Sequence, residues 1–152
     1  MADRPRFHVD EMLGTLAKWL RIMGYDTVYD RDRTDGEIAA SAEREGRALL
    51  TRDKMLARKV GGSGLYIVSD VLEEQVAQVV GVYGLEFDEG LTRCAVCNGV
   101  LVRISMAEAE KEAPEGSLRM TDEFFRCQGC AKVYWKGTHW KSIVGRMEDF
   151  GL

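Results

Sequence analysis

Hydrophobic positions run in two alternating rhythms over the first ninety residues. "RFHV", "DTVY", "RALLT" and "GLYIVS" are short apolar runs rich in β-formers and read as four strands. Between and after them the spacing turns helical. "EMLGTLAKWLRIMG" puts Leu13, Leu16, Ala17, Leu20 and Met23 on one face and stops at Gly24. "DGEIAASAEREG" turns Ile38, Ala39 and Ala42 inward and stops at Gly46. "KMLARKV" makes a short helix and "VLEEQVAQVVGVYG" a longer one. Strands alternating with helices predict an α/β unit with a parallel sheet and helices on its faces. The rhythm breaks near Leu91. Beyond it lie two cysteine pairs, the β-like stretches "VLVRI" and "KVYW", and a last helix from Trp140. A boundary at residues 88–92 divides the chain into 1–90 and 91–152.

The segment between the cysteine pairs, "SMAEAEKEAPEG", carries a capping-box pattern at Ser105 and Glu108. It reads as a short acidic helix ended by Pro114 and Gly116, in a solvated insertion.

Every expected strand is followed closely by an aspartate: Asp10, Asp30, Asp53 and Asp70. In a parallel sheet all carboxyl ends face one edge, where α/β proteins bind ligands. An aspartate there also serves as a helix N-cap, and Asp35 at the start of "DGEIAA" has the same explanation. Both readings stand for each residue taken singly. Clustered carboxylates repel, by roughly 4 kcal/mol at ~4 Å and an effective dielectric of about 20. A hard cation such as Mg²⁺ or Mn²⁺ relieves that repulsion and suits phosphodiester chemistry. Gly14, Lys18 and Arg21 share a helix face, so Gly14 would admit a close backbone while Lys18 and Arg21 meet phosphates; the plainer alternative is a solvated face. Arg52 adds charge beside Asp53.

The full chain of 152 residues has a net charge of −4, so no global positive field marks a nucleic-acid binder. Charge is uneven, with 12 basic against 17 acidic residues up to Gly90 and 9 against 8 beyond it. The charged start lacks an apolar signal core and no apolar run suffices to span a bilayer, which predicts a cytoplasmic protein with no membrane partner. In a reducing compartment four cysteines favour metal over disulfides. Cys94–Cys97 and Cys127–Cys130 form two C-x-x-C pairs, the ligand set of a closed Cys₄ structural zinc site in a ribbon. A thioredoxin-like redox pair is the competing reading, and Asn98-Gly99 immediately after Cys97 argues against the helix it needs. After Cys130, Lys132, Lys136, Lys141 and Arg146 interleave with Tyr134, Trp135, His139 and Trp140. These residues suit either stacking on unpaired bases or a small ribbon core packed against the main unit.

"VDEMLGTLAKWLRIMGYDT", "ALLTRDKMLARK", "RCAVCNGVL" and "FRCQGCAKVYWKGTHW" together resemble the Mut-seven C-terminal RNase family, from Phe7 to Trp140 and in the same order. The resemblance implies a PIN-like α/β fold, a parallel sheet sandwiched by helices, with a small C-terminal zinc ribbon. It implies a metal-dependent ribonuclease, a hydrolase of RNA phosphodiester bonds. "TDGEIAASAEREGRALLTRD" is similar to the PIN pattern of a helix-opening Asp followed, about eighteen residues on, by Thr-x-Asp. Carried over, Asp10, Asp35 and Asp53 are the catalytic acids holding Mg²⁺ or Mn²⁺. The usual further Glu has no clear match; Glu11, Glu37 and Asp70 are candidates. Lys18, Arg21, Arg52, Lys136, His139 and Trp140 are the expected contacts to single-stranded RNA. A non-catalytic RNA-binding adaptor with a degenerate acidic site is the alternative.

Overall fold

The structure is a computed structural model describing residues 4–152. Strands β1 (Phe7–Val9), β2 (Thr27–Tyr29), β3 (Ala48–Thr51) and β4 (Gly64–Tyr66) form a parallel sheet in the order β2-β1-β3-β4. Helix α1 (Gly14–Ile22) follows β1 after a 3₁₀ turn over Glu11–Leu13. Helices α2 (Asp35–Glu45), α3 (Lys54–Lys59) and α4 (Leu72–Tyr83) follow β2, β3 and β4 in turn.

Strand pleating sends successive side chains to opposite faces. Phe7, Val9 and Leu50 therefore join Leu16 and Leu20 of α1 and Val76 and Val79 of α4 in one core. Leu49 joins Ile38, Ala39 and Ala42 of α2 and Leu56 of α3 in a second. Both faces are covered, which is why the strands read as continuous apolar runs. His8 shares the interior: it is fully buried, neither ring nitrogen has a hydrogen-bond partner among the described residues, and burial lowers its pKa against the opposing pull of Asp30.

The second unit is a three-stranded antiparallel sheet, β5 (Leu101–Ile104), β6 (Phe124–Cys127) and β7 (Val133–Trp135), in that order. The insertion between β5 and β6 departs from the sequence expectation. Ser105 caps α5 (Met106–Ala109) as anticipated, accepting the Glu108 N–H at 3.2 Å. Pro114 then takes the N-cap position of a further helix, α6 (Glu115–Met120), instead of closing the first. Proline suits a helix start, where its missing N–H has no partner to lose. Ala109 and Ser117 are buried, so the insertion packs on the ribbon and is not wholly solvated.

Helix α7 (Thr138–Asp149) leaves the ribbon and returns to the first unit. Met147 and Phe150 lie in the same core as Phe7 and Leu20, and Phe150 meets Trp19 edge to face at 5.3 Å. Arg146 bonds Glu73 of α4. The final helix thus belongs by packing to the α/β core, although its sequence follows the ribbon. Among the described residues no helix is long and apolar enough to cross a membrane.

Candidate functional site

The chain leaves β1 for β2 on one side, and β3 then joins β1 on the other. The strand order therefore switches between β1 and β3. Loops at the carboxyl ends of two such strands part there and open a crevice. Asp10 follows β1 and Asp53 follows β3, so both stand at the switch point.

Thr51 joins them. Its hydroxyl donates to Asp10 Oδ2 at 2.7 Å and accepts the Asp53 backbone N–H at 2.9 Å. Thr51 is fully buried, so this link is shielded from water. Both acids also cap: Asp10 Oδ1 accepts the Glu11 N–H at 2.8 Å, and Asp53 Oδ1 accepts the Met55 and Leu56 N–H groups at 2.9 and 3.2 Å. The cap and site readings are thus compatible. Capping spends one oxygen of Asp53 and, among the described residues, leaves Oδ2 without a protein donor. An ionised carboxylate has about four acceptor positions, so Asp10 also keeps capacity for a further partner.

The other expected acids share no hydrogen bond through Thr51 with this pair. Asp35 opens α2, is exposed, and shares no hydrogen bond with Asp10 or Asp53. Among the described residues no three carboxylates converge within 4.8 Å. Glu37 is engaged in the capping box of α2: its Oε2 accepts the Thr34 N–H while Thr34 Oγ1 accepts the Glu37 N–H. That role accounts for its place three residues after Thr34 and engages one of its carboxylate oxygens. Glu11 and Asp70 are exposed on loops following β1 and β4.

The basic residues divide likewise. Lys18 is exposed beside Trp19, its ammonium 5.8 Å from the ring. Arg52 donates to the Ile67 and Val68 carbonyls at 3.5 and 3.1 Å, fastening the chain beyond β4. Arg21 overturns its expected phosphate contact. It is 6% exposed and donates to the carbonyls of Thr27, Ala95 and Val96 at 2.9, 3.0 and 3.3 Å. Burial lowers its pKa, while Cys94 and Cys97 oppose that shift. The i, i+4, i+7 spacing placed Arg21 beside Lys18 but could not show a second unit covering the end of α1. Gly14 is explained by Tyr29, whose hydroxyl lies 2.8 Å from where a Cβ would stand and donates to the Glu11 carbonyl. Its missing side chain admits this ring.

The four cysteines come together as expected. Their Sγ atoms all lie within 4.8 Å of one another. Each C-x-x-C closes a tight turn: Asn98 N–H donates to Cys94 O at 2.8 Å and Ala131 N–H to Cys127 O at 2.9 Å. Asn98 and Ala131 both occupy left-handed backbone, at φ 71° and 67°. Gly99 and Gly129 make room for the sulfurs; a Cβ on Gly99 would collide with Cys127 Sγ, and one on Gly129 would stand 3.0 Å from Cys97 Sγ. Burial pushes the Cys127 thiol up, but N–H groups of Cys130 and Gly129 and the Cys97 thiol prevail and bring it down to about 7. Four soft sulfur donors in a closed cluster are able to hold a metal ion, and their chemistry suits zinc. Neither pair begins a helix, which removes the basis for the thioredoxin-like reading.

The first cysteine turn is riveted to the α/β unit. Asn98 Oδ1 accepts the Thr27 N–H at 2.9 Å, and Asn98 Nδ2 donates to Asp26 Oδ1 at 2.7 Å. Asp26 also pairs with Arg47 at 2.9 Å. Sequence reasoning reads Asn98 only as a turn residue and passes over Asp26 and Arg47. Asn-Gly after Cys97 signalled the turn, but nothing local announced partners more than seventy residues away.

Of the remaining expected contacts, Lys136 stands 3.9 Å from Glu123 and 5.7 Å over the Trp140 ring. Trp140 donates to Glu89 Oε1 at 2.9 Å and packs beside Phe87. His139 is exposed in the first turn of α7.

No curated protein and no solved structure gives a significant match to this sequence. A family model does, that of the Mut7-C RNAse domain, over residues 5–147. That span takes in the parallel sheet, the Asp10–Thr51–Asp53 link, both cysteine pairs and nearly all of α7. The match points to a nuclease role on RNA, and the chain belongs to the Mut7-C RNAse domain family.

Proposed function

We propose that the protein is a divalent-metal-dependent ribonuclease acting on single-stranded RNA, working in the cytoplasm. The observation carrying this reading is the Thr51 link between Asp10 and Asp53 at the switch point of the sheet. Mg²⁺ is commonly held by one or two carboxylates together with substrate phosphates and waters. Two acids at one switch point are therefore a sufficient nucleus for a cation site, with Asp35 at the start of α2, Glu11 in the 3₁₀ turn and Asp70 after β4 adding negative charge at the same end of the sheet. A bound Mg²⁺ or Mn²⁺ would supply charge neutralisation at the phosphate and a more acidic water.

The chain's own residues set up that chemistry. The Thr51 hydroxyl holds Asp10 in one rotamer, and the α3 cap holds Asp53 in another, so neither carboxylate must be ordered when substrate arrives. Lys18 is free to meet backbone phosphates. In the ribbon, Cys94, Cys97, Cys127 and Cys130 would hold zinc as a structural ion with no open position. Lys136, His139 and Trp140 then grip the RNA.

The test is cleavage of a single-stranded RNA by purified protein with and without Mn²⁺ or Mg²⁺. Cleavage is expected only with the ion, and is expected to be lost in Asp10→Asn and Asp53→Asn. Unchanged cleavage in both variants would remove the mechanism. A second reading, a non-catalytic RNA-binding adaptor, draws on the absence, among the described residues, of any three carboxylates within 4.8 Å of one another. RNA binding with no cleavage under any divalent ion would favour it.

A further inference from the structure

A cavity of about 100 Å³ opens where the ribbon sheet meets α7 and the 3₁₀ turn over Glu89–Leu91. Its walls include Phe125, Tyr134, Trp135 and Trp140, with Glu89 and Lys136 as its charged groups. We propose that this cavity is a subsite for one unpaired nucleobase of the RNA. The proposal deepens the ribonuclease reading and rests on it for the identity of the polymer.

Four features select that occupant. The walls are aromatic, and every base presents a π-face on which such walls stack. The volume suits the face or edge of one base: at about 100 Å³ it is smaller than the roughly 150 Å³ apolar cavity that takes up benzene, so a single ring seats against the walls with part of it left outside. A peptide helix, about 10–12 Å across with its side chains, is far too large. The polar groups also match. Glu89 Oε1 already accepts from the Trp140 indole, while Oε2 has no protein donor among the described residues and is able to accept from a base N–H. A carboxylate on the wall repels phosphate, so the ring enters and the backbone stays outside, where Lys136 supplies the compensating charge.

The cavity's place gives the arrangement a length scale. Thr92 on its wall donates to the Ile22 carbonyl, at the carboxyl end of α1, whereas Asp10 lies just before the amino end of that helix. The nine residues of α1 span ~14 Å. The captured base therefore lies several nucleotides from the bond that is cut, which makes the cavity a register-setting contact outside the acidic site.

The experiment measures binding without cleavage, using full-length zinc-loaded Asp10→Asn protein with no added magnesium or manganese. Tryptophan fluorescence is followed on adding a single-stranded octanucleotide RNA, the abasic ribose-phosphate oligomer of the same length, and the matching duplex. The intact strand is expected to quench the fluorescence and to bind at least about fivefold more tightly than the abasic oligomer, the low end of one base–aromatic stack. Glu89→Ala and Trp140→Ala should narrow that difference. Equal affinity of the intact and abasic oligomers for the unaltered cavity overturns the proposal and needs no cavity variant to fold. Equal affinity for the duplex overturns it as well. A base-dependent difference in protein that never cleaves RNA would leave the subsite standing and sink the nuclease reading; cleavage with no base dependence would do the reverse.

Discussion

Replacing Thr51 with valine keeps the shape of the side chain and deletes the hydroxyl that links the two acids. Thr51 is fully buried, so no water takes its place readily. The change removes a donor to an ionised carboxylate, 2.7 Å away, and the acceptor of the Asp53 N–H, 2.9 Å away. A hydrogen bond to a charged group contributes about 1.5–3 kcal/mol, and a stranded buried N–H costs about 1–3 kcal/mol. Partial relaxation of the loop lessens the sum, and a loss of about 2–4 kcal/mol is expected. The chemical consequence is separate. Asp10 keeps only its Oδ1 cap to the Glu11 N–H and is free to turn, and a misplacement of about 1 Å in a reacting constellation costs up to 10²-fold. Urea unfolding measures the first effect. Cleavage of single-stranded RNA under conditions where the variant stays folded measures the second. Thr51→Ser retains the hydroxyl and should keep most of the activity. A folded Thr51→Val protein that cleaves at the wild-type rate would refute the idea that the threonine positions a catalytic carboxylate.

Three further outcomes follow from the contacts around the ribbon. Arg21→Met should cost about 2–4 kcal/mol in thermal or urea unfolding because three carbonyls lose their donor, while RNA affinity of the folded variant stays unchanged; lost affinity without lost stability would restore Arg21 as a phosphate contact. Gly99→Ala forces a methyl against Cys127 Sγ and should destabilise the ribbon by about 1–3 kcal/mol, with easier zinc loss in competition with a coloured chelator; wild-type zinc retention would show that the turn has slack the structure does not suggest. Asp26 has a pH signature. Burial pushes its carboxyl up, but hydrogen bonds from Arg47 and Asn98 and the Arg47 charge hold it below its ordinary value of about 3.8. Its contribution is therefore present above that ordinary value and is lost as pH falls through the lowered one. Asp26→Asn should be less stable than wild type at neutral pH, and the gap should close on acidification; a gap that persists or widens in acid would contradict the assignment.

Much of the α/β unit was legible because its signals are local. Four strands and four helices lie where apolar periodicity placed them, and Gly24 and Gly46 end helices as expected. The pattern for α1 gave its buried face correctly, yet its first turn is 3₁₀ because Asp10 caps it at Glu11. β6 was missed since "FFRC" shows no alternation, Phe124 and Cys127 being buried while the two residues between are half-buried. Pro114 was read as a stop although proline serves equally at a helix start, and only the following residues decide which. The cysteine cluster was legible from spacing alone. Strand ends and the Thr-x-Asp pattern drew attention to Asp10 and Asp53, but no sequence pattern states that Thr51 bonds the Asp10 carboxylate and the Asp53 backbone together. Arg21, Asn98 and Asp26 were illegible in the same way. Their roles depend on where a second unit docks, which is a long-range property of packing.

The central claim is that Asp10 and Asp53 share one divalent cation at the switch point between β1 and β3. Anomalous diffraction from crystals soaked in Mn²⁺ tests it most directly. The account predicts a manganese peak in direct coordination reach of both carboxylates, separate from zinc at the four cysteines and absent in Asp53→Asn. Manganese nowhere on that rim, with both side chains still bonded only to Thr51 and to backbone amides, would contradict it.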